Sequence, residues 1–211
     1  MIIKAIIFDF GEVLNVLDDP AEDEARRIKL AQRLHLEPDE VWSYLFEGQL
    51  ARMWFSGAIE REDFWTEILA SRGISDPEEI EAITSTVFMG RERVNPEMET
   101  LAQELSGRCK LAVLINTGWS EAEMSCLFYN DFGLQDQLFD VIVTSYSAGV
   151  TKPDPAIFHL AIDRLGVKPE ETIFTDDVAK YTASASQLGI HTHTFTTPAL
   201  FREYLRKMSV L

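Results

Sequence analysis

At 211 residues, with 46% hydrophobic and 26% charged side chains, the chain suits one full domain, or one domain carrying a smaller accessory module, and its composition is that of a globular protein rather than a disordered or fibrous one. Its 35 acidic and 19 basic residues give a net charge of -16, and 23 of the acids with 10 of the bases lie in residues 1–106. That balance argues against a nucleic-acid partner, whose backbone is bound by clustered Lys and Arg.

No run approaches the roughly 18 uncharged apolar residues of a membrane span, and Met1-Ile2-Ile3-Lys4 lacks the basic start and cleavage site of a signal peptide. A cytoplasmic protein with no membrane partner is therefore expected. Cys109 and Cys126 share no metal-type spacing and are too few for a disulfide framework, so both read as reduced.

The first apolar run, residues 2–8, is short and nearly continuous, as suits a strand buried on both faces. Helical patterns follow at roughly 20–35, 38–50, 60–72, 77–88 and 96–106. Their starts are marked by Asp19-Pro20, Glu37-Pro38, Asp76-Pro77 and Asn95-Pro96, because proline fits the first helical position and a polar residue before it can cap. Gly73 and Gly107 supply stops, as Gly166 and Gly189 do further on. A right-handed crossover between parallel strands needs one helix. Four of these elements are thus surplus, and an inserted helical cap is expected at residues 16–90, with residues 1–15 and 91–211 forming the core domain. Trp42, Trp54, Trp65, Phe46, Phe55 and Phe64 fall in that insertion and read mostly as its own core.

Further apolar runs at 111–115, 141–143 and 173–175, with a possible last one at 191–195, alternate with helices that begin near Asp154-Pro155 and Thr197-Pro198. The alternation predicts an α/β fold with a Rossmann-like parallel sheet covered on both sides. His191 and His193 alternate along the last run with no Cys or acidic neighbour and do not read as a metal site. No Walker lysine, dinucleotide-binding glycine loop or serine elbow is present.

In such sheets ligands sit beyond the carboxyl ends of the strands. The first strand runs into Asp9, Gly11 and Glu12, the second into Asn116 and Thr117, and the run at 173–175 into Asp176-Asp177, while Lys152 precedes a helix start. A carboxylate at a strand tip can act as a covalent nucleophile, and an acidic pair opposite can hold Mg2+ through oxygen. Asn116 and Thr117 offer neutral donors, and Lys152 offers a point charge for an oxyanion. Three acids at one place are compatible only with a cation among them. Phosphoryl transfer, which depends on positioning and on stabilising spread negative charge, fits this set.

The ordered series of Asp9, Asn116, Lys152-Pro153-Asp154 and Asp176-Asp177, with Ala185 and Leu188-Gly189 behind it, resembles the four motifs of the haloacid dehalogenase (HAD) superfamily along nearly the whole chain. The insertion is similar to the helical cap of the subgroup that carries it between motifs one and two. The resemblance implies a HAD-type phosphoric monoester hydrolase acting on a small phosphorylated metabolite, a sugar phosphate being one candidate. It implies Asp9 as nucleophile, and Mg2+ held by Asp9, the main-chain carbonyl of Gly11, Asp176 and Asp177. Lys152 would steady the nucleophile and the phosphoryl oxygens, and Asn116 with Thr117 would bind substrate.

Two positions depart from the family pattern. Gly11 stands where most phosphatases of the family have a second Asp that protonates the leaving group, a role typically contributing ~10²–10⁴-fold. Ile115 stands where a Ser or Thr usually precedes Asn. Three readings stay open: Glu12 as a substitute acid, a substrate with a good leaving group, or a protein that binds phosphate with weakened turnover. A haloacid dehalogenase proper, using the same Asp without metal, is a further alternative that the acidic pair disfavours.

Overall fold

The computed structural model of the protein describes residues 2–15, 19–88, 94–134 and 137–211. Five parallel strands form one sheet: β1 (Ala5–Phe8), β2 (Lys110–Ile115), β3 (Val141–Thr144), β4 (Thr172–Asp176) and β5 (His191–Thr194), in the order β3-β2-β1-β4-β5. The first strand is shorter than the apolar run 2–8 that announced it. β1 lies at the centre, where the strand order reverses, and the crevice of a doubly wound sheet opens at such a point.

Side-chain alternation along the strands divides the core in two. Ile6, Phe8, Leu111, Val113 and Ile173 face α6 (Pro96–Leu105), α7 (Glu121–Cys126) and α11 (Pro198–Lys207). Ala5, Ile7, Ala112, Leu114 and Phe174 face α9 (Pro155–Leu165) and α10 (Ala179–Gln187). Side chains of Asp19, Asn95, Asp154 and Thr197 accept first-turn N–H bonds ahead of a proline, as the sequence predicts.

Helices α1 (Pro20–Leu34), α2 (Val41–Phe46), α3 (Gln49–Phe55), α4 (Arg61–Ala70) and α5 (Pro77–Phe88) form a separate layer with its own apolar cluster. Trp54, Phe64 and Trp65 are buried in it, with Trp54 stacked on Phe64 at 4.5 Å, so these aromatics are core. The single helix expected at 38–50 is instead a 3-10 turn at Pro38–Glu40 followed by α2 and α3. The break falls at Gly48, whose extended backbone (φ -75, ψ 176) cannot continue a helix. The expected cap limits at residues 16 and 90 lie outside the described residues. Among the described residues, no helix is long and apolar enough to cross a membrane.

The helical layer meets the sheet's carboxyl edge closely. The Trp54 indole lies on Gly118, where an added Cβ would fall 1.9 Å from the ring. Arg61 donates to Glu123 on α7 at 2.6 Å and sits 4.6 Å above the Trp119 ring. Tyr146, in the short helix α8 (Ser145–Ala148), donates its hydroxyl to Glu60 at 2.8 Å.

Candidate active site

Parallel register brings the chemical groups together before any side chain is considered. Phe8 pairs with Val113 on one side and with Thr175 on the other, so the next residue, Asp9, emerges between Leu114 and Asp176. Its backbone N–H still donates to Thr175 O at 2.9 Å, which continues the ladder and fixes the carboxylate at the tip of β1.

Lys152 is almost completely buried, at 3% exposure, and its ammonium makes three bonds: to Asp9 Oδ1 at 2.7 Å, Asp176 Oδ2 at 2.6 Å and the Leu114 carbonyl at 3.0 Å. An ammonium carries three donors, so its capacity is filled. The Phe174 and Tyr181 rings lie 5.6 and 5.1 Å from the same nitrogen. Asp176 Oδ1 in turn accepts from the Val178 N–H at 2.8 Å, which turns the chain after β4 and sets Asp177 beside the cluster. One oxygen each from Asp9, Asp176 and Asp177 lies within 4.8 Å of the others.

Electrostatics reflects this crowding. Burial, with Asp176 adding to it, pushes the Asp9 carboxyl up to about 7 against the pull of Lys152. Burial and then Asp176 raise Asp177 as well. Lys152 is held above its ordinary value, since burial opposes its charge but the Asp9 and Asp176 carboxylates outweigh that effect. Three carboxyl groups therefore share one ammonium, and hard oxygen donors left undercompensated at this spacing suit a divalent cation such as Mg2+.

Asn116 does not stand apart from Lys152. Its Oδ1 accepts the Lys152 N–H at 2.8 Å and its Nδ2 donates to the Lys152 carbonyl at 3.1 Å, with the Tyr181 hydroxyl at 3.4 Å. Bonding to loop backbone is thus what this Asn is seen to do. Thr117 is held by Ser145, whose hydroxyl accepts the Thr117 N–H at 2.9 Å and donates to its carbonyl at 3.2 Å. Gly11 lies two residues after Asp9, and an added Cβ there would lie 3.8 Å from Asp9 Oδ2. Glu12 is exposed, takes a left-handed backbone (φ 56) and donates its N–H to Asn15 Oδ1 at 2.7 Å.

The structure thus gathers Asp9, Lys152, Asp176 and Asp177 at one point, with Asn116 behind Lys152, while Glu12 faces solvent on the loop's rim. Ser145 was not singled out from the sequence; its signal is a hydroxyl two residues after the third apolar run, where strand-end residues meet the site.

A family model described as haloacid dehalogenase-like hydrolase matches residues 3–189. The chain is 30% identical over 198 residues to the mouse protein named acyl-CoA dehydrogenase family member 10, covering 90% of this chain and 17% of that protein. It is 26% identical over 196 residues to Phosphatase MT3486 of Mycobacterium tuberculosis, covering 92% and 87%. Among solved structures, a HAD-like family hydrolase of Porphyromonas gingivalis superposes with a TM-score of 0.75 at 26% identity, covering 97% of this chain and 98% of that one. A HAD family enzyme of Bacteroides thetaiotaomicron in complex with magnesium and inorganic phosphate gives 0.69 at 22% identity, covering 92% and 94%, a likeness of fold. Sequence, topology and the converging strand ends agree, and the chain belongs to the haloacid dehalogenase-like hydrolases.

Proposed function

We propose that the protein is a Mg2+-dependent phosphatase of a small phosphorylated metabolite, working through an aspartyl phosphate on Asp9. The observation that carries this reading is the buried ammonium of Lys152 joining Asp9 to Asp176 at the carboxyl edge of β1. Lys152 occupies Asp9 Oδ1, which leaves Oδ2 as the attacking oxygen. That oxygen bonds to phosphorus as the ester P–O bond breaks, and the electron pair departs on the leaving oxygen, which takes a proton from water. A water molecule then attacks the same phosphorus, the bond to Asp9 breaks, and inorganic phosphate leaves with the carboxylate restored.

Asp9, Asp176, Asp177 and the Gly11 carbonyl would hold Mg2+, which supplies positive charge against the phosphoryl oxygens. Lys152 adds a fixed charge from the protein side, and Asn116 positions Lys152 through both ends of its backbone. Thr117 stands on the neighbouring loop to donate to a substrate oxygen. The helical layer covers the edge and limits water there. The phosphatase name of the Mycobacterium relative and the magnesium and phosphate in the Bacteroides structure support the same chemistry.

A second reading, binding with weakened turnover, rests on Gly11, which places no carboxyl at that position. Phosphate release from p-nitrophenyl phosphate, α-glucose 1-phosphate and acetyl phosphate, each with and without Mg2+, separates the two. Mg2+-dependent release that disappears in Asp9→Asn supports the phosphatase. Undiminished release in that variant overturns it, and metal-dependent phosphate binding with no turnover of any ester favours the second reading.

A further inference from the structure

Beside the ionic cluster, on the β2 side, lies a chamber of about 180 Å³. Phe10, Phe88, Ile115, Trp119, Leu127 and Phe132 line it. Phe10 and Phe132 stack at 5.9 Å with 14° between their planes, and Phe88 meets Trp119 edge-on at 6.0 Å. Its lining adjoins the nucleophile in the chain: Phe10 follows Asp9, and Asn116 borders the space while bonding the backbone of Lys152.

Its polar lining is sparse, and part of it is engaged. The Asn116 amide is tied to Lys152, Asn15 Oδ1 accepts from the Glu12 N–H, and the Thr117 main chain is bonded to Ser145. Among the described residues, no charged side chain lines the space. A sugar placed here would exchange water for aromatic carbon, and each buried hydroxyl without a partner costs about 1–3 kcal/mol. A ring loses nothing comparable and gains contact with other rings. The volume is adequate, since roughly 150 Å³ of apolar space takes up benzene.

The same lining bears on the chemical step. A leaving oxygen emerging here meets no carboxyl among the described residues. A phenol, with a pKa of about 10 like that of tyrosine, departs as an anion far more readily than an alkoxide whose parent acid resembles water at about 16. Gly11, which offers no carboxyl, and the aromatic walls therefore favour the same leaving group.

The geometry points to a phosphate monoester of an apolar phenol, one ring or a compact pair of rings, as the substrate class, in place of a sugar phosphate. This assignment rests on the phosphatase reading above. The bond from Asp9 Oδ2 to phosphorus forms as the P–O(aryl) bond breaks, the electron pair leaves on the phenolate, and the phenolate takes its proton from solvent.

The test compares kcat/KM in Mg2+ for 1-naphthyl phosphate, hexyl phosphate and glucose 6-phosphate, with acetyl phosphate as a good leaving group that does not need the chamber. Naphthyl phosphate is expected to exceed glucose 6-phosphate by about 100-fold and hexyl phosphate by about tenfold. Phe132→Ala, at a half-buried wall position, is expected to reduce the naphthyl-to-acetyl ratio at least about fivefold, mainly through KM. Glucose 6-phosphate or hexyl phosphate used as well as the naphthyl ester overturns the aryl assignment and leaves the phosphatase standing. Absence of hydrolysis of every ester and of acetyl phosphate removes the phosphatase reading, and calorimetric binding then judges the chamber by itself. Binding of 1-naphthylphosphonate about tenfold tighter than methylphosphonate, with the gap lost in Phe132→Ala, supports an aryl site. Equal affinities overturn it.

Discussion

Two ion clusters in this molecule each gather carboxylates around one cation, and they differ in where they sit. Arg27, on α1, reaches Asp23, Glu24 and Asp39 at 2.9, 2.6 and 3.0 Å, with side chains 24% to 94% exposed. Lys152 reaches Asp9 and Asp176 at comparable distances, with side chains 1%, 11% and 0% exposed. Water and salt screen the first, which is worth at most about 1 kcal/mol per pair. The second sits where charges interact strongly and where removing one partner leaves the others uncompensated. Contact geometry alone does not distinguish a solvated cluster from a strongly interacting one; the surrounding dielectric does.

Breaking the buried cluster at Asp9, the proposed nucleophile, is expected to give the largest effect. Asp9→Asn is expected to lower phosphate release by roughly 10⁴-fold or more, measured in single-turnover and steady-state assays. Its melting temperature is expected to stay within about 5 °C of the parent, because a group with a raised pKa is replaced by a neutral isostere.

Removing the central cation comes next and contrasts the clusters directly. Lys152→Met is expected to cost about 3–5 kcal/mol in urea unfolding without metal, part of it returned by saturating Mg2+. Arg27→Met is expected to cost less than about 1 kcal/mol and to show no Mg2+ dependence. Equal losses in the two variants would contradict the proposed difference.

Proton linkage sharpens the comparison further. Burial lifts Asp9 from 3.8 to about 7 in the folded, metal-free protein, so its proton favours the fold fully below about pH 4, and this contribution is lost as pH rises through about 7. Mg2+ must displace that proton, so its apparent affinity is expected to fall up to about tenfold per pH unit below pH 7. Titration calorimetry in two buffers of different ionisation enthalpy measures the released proton, and Asp9→Asn is expected to flatten the slope. The smallest effect concerns the rim: Glu12→Gln is expected to change kcat less than about threefold, whereas a loss of about 100-fold would identify Glu12 as the proton donor.

The carboxylates of the ionic cluster were legible in the sequence because they sit at strand ends, and apolar runs followed by acids mark those ends in a parallel sheet. Lys152 was legible as a cation before a helix start and, through the resemblance, as the residue that steadies Asp9; its bonds to Asp176 and to the Leu114 carbonyl were not. The aromatic chamber was not legible at all. Phe10, Phe88, Trp119 and Phe132 come from four separate segments, and each by itself reads as ordinary core. The interruption at Gly48 was missed because the apolar spacing on either side stays helical and only the backbone angle breaks it. Ser145 escaped for a similar reason, since a hydroxyl at a strand end has no periodicity to betray it.

Trp54 seated on Gly118 and Trp119 beneath Arg61 place two of the chain's four tryptophans at the seam between helices and sheet. Any parting of that seam moves an indole from a dry contact into water, so the molecule carries an intrinsic optical gauge. Its emission would shift to the red on opening and return on closure, which allows such motion to be timed in stopped flow without attaching a dye.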